Sequence, residues 1–331
     1  MNLDEILIRL SQERRRLKLT HEEVARRGGF ANESNVRRLE KPGVNPTLST
    51  VQRYAEAVGV TLKVEVEGMR TLTFFNHAGG VAKTSSVRDI GFMLAKTGFR
   101  VLLIDADPQA NLTRWLGVRE RIGLQQTIYP AILGNGMGDD GDLSLPKPVS
   151  VHGLDLIPSH LDIARIEPQL VGIIMGVTRL RNAVRKLRSY DFVLIDPPPS
   201  LGQLSAVSVI AADQIVVPVP TNSKGLEGLP TVINMVRQYR QAAPNLKIAF
   251  FLLTQFDERT RHDRDSLASI RDELVALAPI SSPMNSRPAV YKDAQTSGRP
   301  IPIFAEGSKA HQEVRTATSE LLEALGVMVS V

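Results

Sequence analysis

The segment Asn76-His77-Ala78-Gly79-Gly80-Val81-Ala82-Lys83-Thr84-Ser85 has the residue types of a phosphate cradle. An apolar run, Thr71–Phe75, precedes it and a helical stretch follows. Glycines let backbone N–H groups approach phosphate oxygens, and a helix N-terminus adds positive potential. A lysine reaches the β- and γ-phosphates, and a threonine hydroxyl ligates Mg²⁺. The candidate nucleotide-binding residues are therefore Gly79, Gly80, Val81, Ala82, Lys83, Thr84 and Ser85. The commonest cradle pattern, GxxxxGKS/T, asks for glycine at 77 and 82, where this chain has His77 and Ala82. Taken alone, the loop reads equally well as a plain turn between strand and helix.

Two carboxylate motifs decide between these readings. The run Val101–Ile104 leads into Asp105-Ala106-Asp107-Pro108-Gln109-Ala110-Asn111, which begins 22 residues after Lys83. That is room for one helix and one strand. The run Phe192–Ile195 leads into Asp196-Pro197-Pro198-Pro199-Ser200-Leu201-Gly202. An aspartate ending a buried strand suits Mg²⁺, which prefers hard oxygen ligands and keeps several waters. A second carboxylate near a γ-phosphate can orient the attacking water. One such aspartate is more often a strand cap or a turn residue. Three motifs in this order and spacing favour nucleotide chemistry.

These motifs resemble the ParA/MinD family. The loop is similar to its deviant Walker A, KGGxGKT, with Gly79, Gly80, Lys83 and Thr84 matching. Ala78 stands where that family carries its signature lysine, and Ala82 replaces a glycine, which strains the loop if φ is positive there. Asp105–Asn111 resembles switch I, DxDPQxN. Tyr190–Gly202 resembles YDxxxxDxPPSxG, which combines Walker B with switch II. Further matches are Pro220–Leu229, ending in LEGL; Leu252–Arg261, similar to LTxxDxRTR; and Ser286-Arg287 running to Gly298-Arg299-Pro300-Ile301. The resemblance covers roughly residues 70–325.

The resemblance implies an ATP hydrolase with ATP and Mg²⁺ as cofactors and weak intrinsic turnover, serving plasmid or chromosome partition. Lys83 and Asp107 take the catalytic roles, and Thr84, Asp196 and Asp105 the metal site. It also implies a homodimer formed on ATP binding and a centromere-binding partner of the ParB type. Double-stranded DNA would be held without sequence preference by Arg259, Arg261, Arg264 and Arg287, with Lys292 in the same region. Such contacts are phosphate-directed and salt-sensitive, although scattered arginines are more commonly a solvated helix face. The family's signature lysine reaches across the dimer to the partner's nucleotide. Its loss at Ala78 removes that contact, and His77 or Arg165 are the candidate substitutes. The competing reading is a DNA-binding regulator that binds nucleotide without turning it over.

Positioning these residues takes two kinds of architecture. From residue 68 on, apolar runs alternate with helical stretches: Thr71–Phe75, Val101–Ile104, Leu154–Ile157, Phe192–Ile195, Gln214–Val219 and Ile248–Leu253. That rhythm predicts an α/β domain, a P-loop NTPase with a mostly parallel sheet flanked by helices, over 68–331. The Gly-, Asp- and Pro-rich stretch 134–150 reads as a surface loop. Residues 1–67 predict a small all-α domain. Leu3, Ile6, Leu7 and Leu10 share one helix face. Thr20 and Glu23 fit a capping box opening a helix over Thr20–Arg27, which Gly28-Gly29 ends. A third helix is expected over Asn35–Glu40, and a fourth opens at Pro46-Thr47 and ends at Gly59. Residues 61–68 alternate like a short strand or tether.

This first segment resembles the Cro/Xre helix-turn-helix family, with Gly28-Gly29-Phe30 suggesting one extra residue in the turn. The resemblance places Asn32, Glu33, Ser34, Asn35 and Arg37 near bases and Arg38 and Lys41 near the backbone. Its role would be operator binding for autoregulation; a helical protein-interaction module is the alternative.

Composition sets the bounds. The 331 residues carry a net charge of +5 and no cysteine, which excludes disulfides, thiolate zinc sites and iron–sulfur clusters, so a nitrogenase-type iron protein is set aside. The basic excess permits nucleic-acid binding without proving it. No apolar run approaches the ~20 residues of a membrane span, and the charged N-terminus does not suit a secretory signal. The tail, SELLEALGVMVSV, lacks the basic residues of a MinD-type membrane helix. The expectation is a cytoplasmic, nucleoid-associated protein with no membrane partner.

Overall fold

Continuous apolar runs suit strands buried on both faces, as in a parallel sheet covered by helices. The computed structural model describes residues 3–41, 44, 46, 48–60, 63–65, 68–134 and 143–330. It divides into two units, Met1–Glu67 with Leu325–Val331, and Gly68–Ala324.

The larger unit carries a seven-stranded sheet. Its elements in chain order are β2 (Arg70–Phe74), α5 (Lys83–Lys96), β3 (Val101–Asp105), α6 (Asn111–Trp115), α7 (Tyr129–Leu133), β4 (Val149–Val151), β5 (Leu154–Ile157), α8 (Ile166–Leu170), α9 (Arg179–Arg185), β6 (Phe192–Asp196), α10 (Gln203–Ala211), β7 (Gln214–Pro220), α11 (Ser223–Tyr239), β8 (Lys247–Thr254), α12 (Arg261–Leu274), α13 (Pro288–Ser297), α14 (Ile301–Phe304) and α15 (Lys309–Ala324). Strand order is β4-β5-β3-β6-β2-β7-β8. All neighbours run parallel except β4 and β5. In such sheets ligands bind beyond the carboxyl ends of the strands, where the order of the chain reverses. Here β2 leads to β3 across the intervening β6, and β6 leads to β7 across β2.

Helices α7 to α10 share one apolar cluster with β3, β5 and β6. Helices α11 and α12 share another with β7 and β8. Helix α5 lies close on the sheet, because a Cβ at Gly91 would come within 2.7 Å of the Leu103 side chain. The six parallel strands fall on the six apolar runs. Strand β4 lies at the end of the stretch expected to be loop, where it pairs with β5 through Val149–Leu156, Ser150–Asp155 and Val151–Leu154. Residues 135–142 of that stretch lie outside the described residues.

The smaller unit holds α1 (Leu3–Arg16), α2 (His21–Arg27), α3 (Glu33–Leu39), α4 (Leu48–Ala57), β1 (Lys63–Glu65) and β9 (Met328–Ser330). Ile6, Leu10, Val24, Val36, Val51 and Tyr54 form its core. Thr20 caps α2 by accepting from the Glu23 amide at 3.1 Å. The reciprocal half of the expected box is not made: the Glu23 carboxylate pairs with Arg26 and Arg27 instead. Helix α3 starts at Glu33, two residues before the expected Asn35, because the Asn32 side chain accepts from the Asn35 amide at 3.1 Å. At the unusual turn, a Cβ on Gly28 would meet the Phe30 ring at 2.5 Å and the Arg53 carbonyl at 2.9 Å. Arg53 closes this turn from above, with its guanidinium 4.4 Å from the Phe30 ring centre and donating to the Gly28 carbonyl at 2.7 Å. Glu40 accepts from Arg14 at 2.6 and 3.0 Å, and from the Tyr54 hydroxyl, tying α1 to α4.

The expected boundary put the whole tail in the larger domain. Instead Leu325–Val331 groups with the smaller unit, since β9 pairs antiparallel with β1. Thr47, at the expected start of the fourth helix, and residues 61, 62, 66 and 67 of the expected strand lie outside the described residues.

Candidate nucleotide site

The carboxyl ends of β2, β3, β6 and β8 border a cleft of about 390 Å³ lined by Gly80–Ser86, Asp107, Pro197, Thr254 and Gln255, among others. The expected loop runs from β2 into α5, with Lys83 as the first helical residue. Helix α5 is 14 residues long, and its first N–H groups have no acceptor within the helix, so they and the helix dipole favour an anion here. Gly80 adopts φ +74° and Ala82 φ +68°. The glycine is at ease there, whereas alanine in the left-handed region costs about 1–2 kcal/mol. The concern raised by Ala82 in the sequence is therefore real: the loop keeps its shape at the expense of local strain.

Lys83 is 6% exposed and donates to the Ala78 carbonyl at 2.7 Å. Burial lowers its ammonium to about 8, while the Asp196 and Asp107 carboxylates oppose that shift. Asp196 ends β6, is fully buried, and stands opposite Asp105 in the sheet register. Neither of its carboxylate oxygens has a hydrogen-bond partner. Burial raises its carboxyl well above the usual range, Asp105 raises it further, and the nearby Thr84 hydroxyl pulls the other way without completing a hydrogen bond of ordinary geometry. Two unpartnered buried oxygens beside a threonine fit a divalent cation held by one carboxylate, a hydroxyl, phosphate and water.

Asp105 differs. Its oxygens accept from the Thr113 amide at 2.8 Å, the Thr113 hydroxyl at 2.7 Å and the Asp107 amide at 3.2 Å. Burial lifts its carboxyl to about 7 against these hydrogen bonds. Asp105 thus shapes the loop that carries Asp107 and is already occupied by protein donors. The Asp107 carboxylate accepts from the Gln109 amide at 2.9 Å, and its carbonyl accepts from Ser159 at 2.6 Å. Burial raises its carboxyl too, with the Gln109 hydrogen bond and Lys83 opposing.

The cleft also contains residues that the motifs did not assign to nucleotide. Thr254 and Gln255 follow β8, and their hydrogen bonds reach the loop carbonyls: Thr254 Oγ1 to Val81 at 3.3 Å and Gln255 Nε2 to Gly80 at 2.6 Å. Trp115, the single tryptophan, lines the cleft as well. Thr254 could have been found as the last residue of an apolar strand; nothing local marks Gln255 or Trp115. Tyr291 and Arg287 line the cleft too. Arg287, expected on a DNA surface, pairs with Glu313 at 2.5 and 2.8 Å and is largely buried.

The other DNA candidates lie elsewhere. Arg259, Arg261 and Arg264 cluster at the start of α12, where the Arg259 and Arg261 side chains are 85% and 88% exposed. Each already has a local partner: Asp257, Asp265 and the Glu258 carbonyl respectively. Glu33, Ser34, Asn35, Arg37 and Arg38 are exposed on α3, with Val36 and Leu39 facing the core. Asn32 is exposed too, but its side-chain oxygen is committed to the helix cap. His77 and Arg165 do not stand out as lysine substitutes: the buried His77 Nδ1 has no partner, and Arg165 pairs with Asp162 in an exposed turn.

Residues 69–248 match the AAA domain family. A probable plasmid-partitioning protein ParA of Thermus thermophilus is 43% identical over 261 residues, 77% of this chain and 78% of that one. The chain belongs to the ParA family of P-loop ATPases. The sporulation initiation inhibitor protein Soj of Bacillus subtilis is 33% identical over 72% of this chain and 93% of its own. Among solved structures, a cobyrinic acid a,c-diamide synthase of Mycobacterium smegmatis with bound ATP analog and magnesium superposes with a TM-score of 0.63. It is 29% identical and covers 78% of this chain and 96% of its own. The ParA relationship accounts for the larger unit's sheet and cleft. Among the described residues, no helix is long and apolar enough to cross a membrane.

Proposed function

We propose that this ParA-family chain is a DNA-partition ATPase whose cleft takes ATP with Mg²⁺. The observation that carries the reading is Asp196: two fully buried, unpartnered carboxylate oxygens close to Thr84 and Lys83 of the phosphate loop. Thr84 and Asp196 hold the cation, which neutralises charge on the phosphates. Gly79, Gly80, Val81, Ala82 and Ser85 offer backbone N–H groups. Lys83 exchanges the Ala78 carbonyl for phosphate oxygens, and Asp107 orients the attacking water. Asp105 supports the site by fixing the Asp107 turn.

ATP favours a homodimer. In that form Arg259, Arg261 and Arg264 hold duplex DNA through its phosphates, exchanging their local partners for them, and a ParB-type protein stimulates hydrolysis. The exposed face of α3 reads an operator as the second helix of a helix-turn-helix, with Arg37 and Asn35 nearest the bases. The protein then acts on the nucleoid in the cytoplasm.

The test is ATP turnover with Mg²⁺, with and without non-specific duplex DNA. Slow turnover that DNA raises, and that Lys83→Ala and Asp107→Ala each abolish, supports the reading. A second reading is favoured by Ala78, which offers no cation to a partner's nucleotide: the chain binds ATP and DNA but does not hydrolyse. Binding without turnover, in the presence of the ParB-type partner, would select it.

A further inference from the structure

We infer that Gln255 is a positioning residue for the phosphate loop, aiming the Val81 amide at the nucleotide while its neighbour Thr254 does the same for the Ala82 amide. This rests on reading the cleft as a nucleotide site. Gln255 Nε2 donates to the Gly80 carbonyl at 2.6 Å, and Thr254 Oγ1 donates to the Val81 carbonyl at 3.3 Å. A trans peptide is planar, so its C=O and the following N–H point in opposite directions. Holding the Gly80 and Val81 carbonyls toward the end of β8 therefore turns the Val81 and Ala82 N–H groups the other way. Neither N–H meets an acceptor among the described residues. Two successive N–H groups on one side of a loop form a concave anion site.

The loop needs this external hold. Ala82 occupies a left-handed conformation (φ +68°) that favours glycine, so the loop is not fixed by its own preferences. Gln255 itself has φ +58°, also a strained value for a residue with a side chain. Thr254 is 2% exposed, which gives the clamp a rigid base. Position 255 thus accepts backbone strain to place one amide donor against a loop 175 residues away in sequence.

The experiment compares the intact chain with Gln255→Met, which keeps the length and loses the donor, and Gln255→Lys, which restores a donor. Backbone strain is comparable across the series because neither replacement is glycine. Trp115, alone in the chain and lining the cleft, supplies a fluorescence signal for ATP and ADP titrations with Mg²⁺, backed by calorimetry. Gln255→Met is expected to weaken ATP and ADP alike by about tenfold, the scale of one lost hydrogen bond. KM for ATP rises by a similar factor while kcat holds within about twofold, because the amides serve ground state and transition state alike. Gln255→Lys recovers affinity to within about threefold of the parent. Thermal unfolding of each variant separates this from a loss of fold, which would move stability without the donor-dependent recovery. Parent binding matched by Gln255→Met, or equal loss in both variants, would overturn the inference alone. A parent chain that binds no nucleotide sinks the site reading and this inference with it.

Discussion

Asp196 poses the sharpest conflict between stability and function at the residue scale. A carboxylate with no exposure and no partner destabilises the fold that contains it. A Mg²⁺ ion and its waters relieve that cost, so the same feature that weakens the ligand-free protein favours the loaded one. Asp196→Asn removes the charge while keeping the shape. It is expected to raise the melting temperature of the ligand-free chain by about 2–4 °C, the shift of one kcal/mol in a unit this large. It should also abolish Mg²⁺-dependent ATP binding read by Trp115 fluorescence. A lower melting temperature would mean the carboxylate already has a stabilising partner. Asp105 illustrates the opposite arrangement. Its motif position implied a metal role, yet Thr113 and Asp107 occupy its oxygens. The sequence could place both aspartates at strand ends, but which of them keeps unpartnered oxygens depends on a donor eight residues on, Thr113, that carries no motif signature.

At the scale of elements, Glu40 links α3's end to α1, α2 and α4 by accepting from Arg14, His21 and Tyr54. Burial alone would raise its carboxyl, but the Arg14, Tyr54 and His21 hydrogen bonds outweigh burial and bring it from an ordinary 4.5 down to about 2. A folded value below the unfolded one means the unfolded state binds the proton first as pH falls. The stabilisation is therefore complete above about 4.5 and is lost as pH falls toward 2. Glu40→Gln should cost about 3 kcal/mol at neutral pH, as for breaking a buried ion pair. It should also flatten the acid dependence of amide-exchange protection in α1 to α4. Unchanged acid dependence in the variant would assign that sensitivity elsewhere. The elements themselves were legible in proportion to their apolar content. Six strands with continuous apolar runs stood out, as did the helices with a single apolar face. The start of α3 was misplaced because its cap, Asn32, lies among other turn-forming residues. Strands β4 and β9 have three residues each, too few to show a period. Gln255 was invisible because its role follows from where the sheet carries β8 relative to β2, not from any neighbour in sequence.

At the scale of the whole molecule, the chain returns to its beginning. Strand β9 pairs with β1 through Lys63–Ser330, Val64–Val329 and Glu65–Met328, so the last residues group with the first helices although the larger unit lies between them in sequence. The sequence boundary near Gly68 described one crossing of the chain and missed the second, because pairing between distant short strands leaves no local trace. A two-stranded ribbon is marginal on its own, and its few backbone hydrogen bonds are worth about 1 kcal/mol each. A chain ending at Gly326 loses β9 entirely. Amide exchange over Lys63–Glu65 should then accelerate to that of an open segment, and protection of α1 to α4 should fall by about 1–2 kcal/mol. The seven-stranded sheet and the ribbon are separate sheets, so exchange in β2, β3 and β6 should stay as in the full chain. Equal loss of protection in both units would mean that they unfold as one cooperative block. Loss confined to the first unit would make the tail a clasp for the proposed operator-reading helices, separate from the machinery that handles nucleotide.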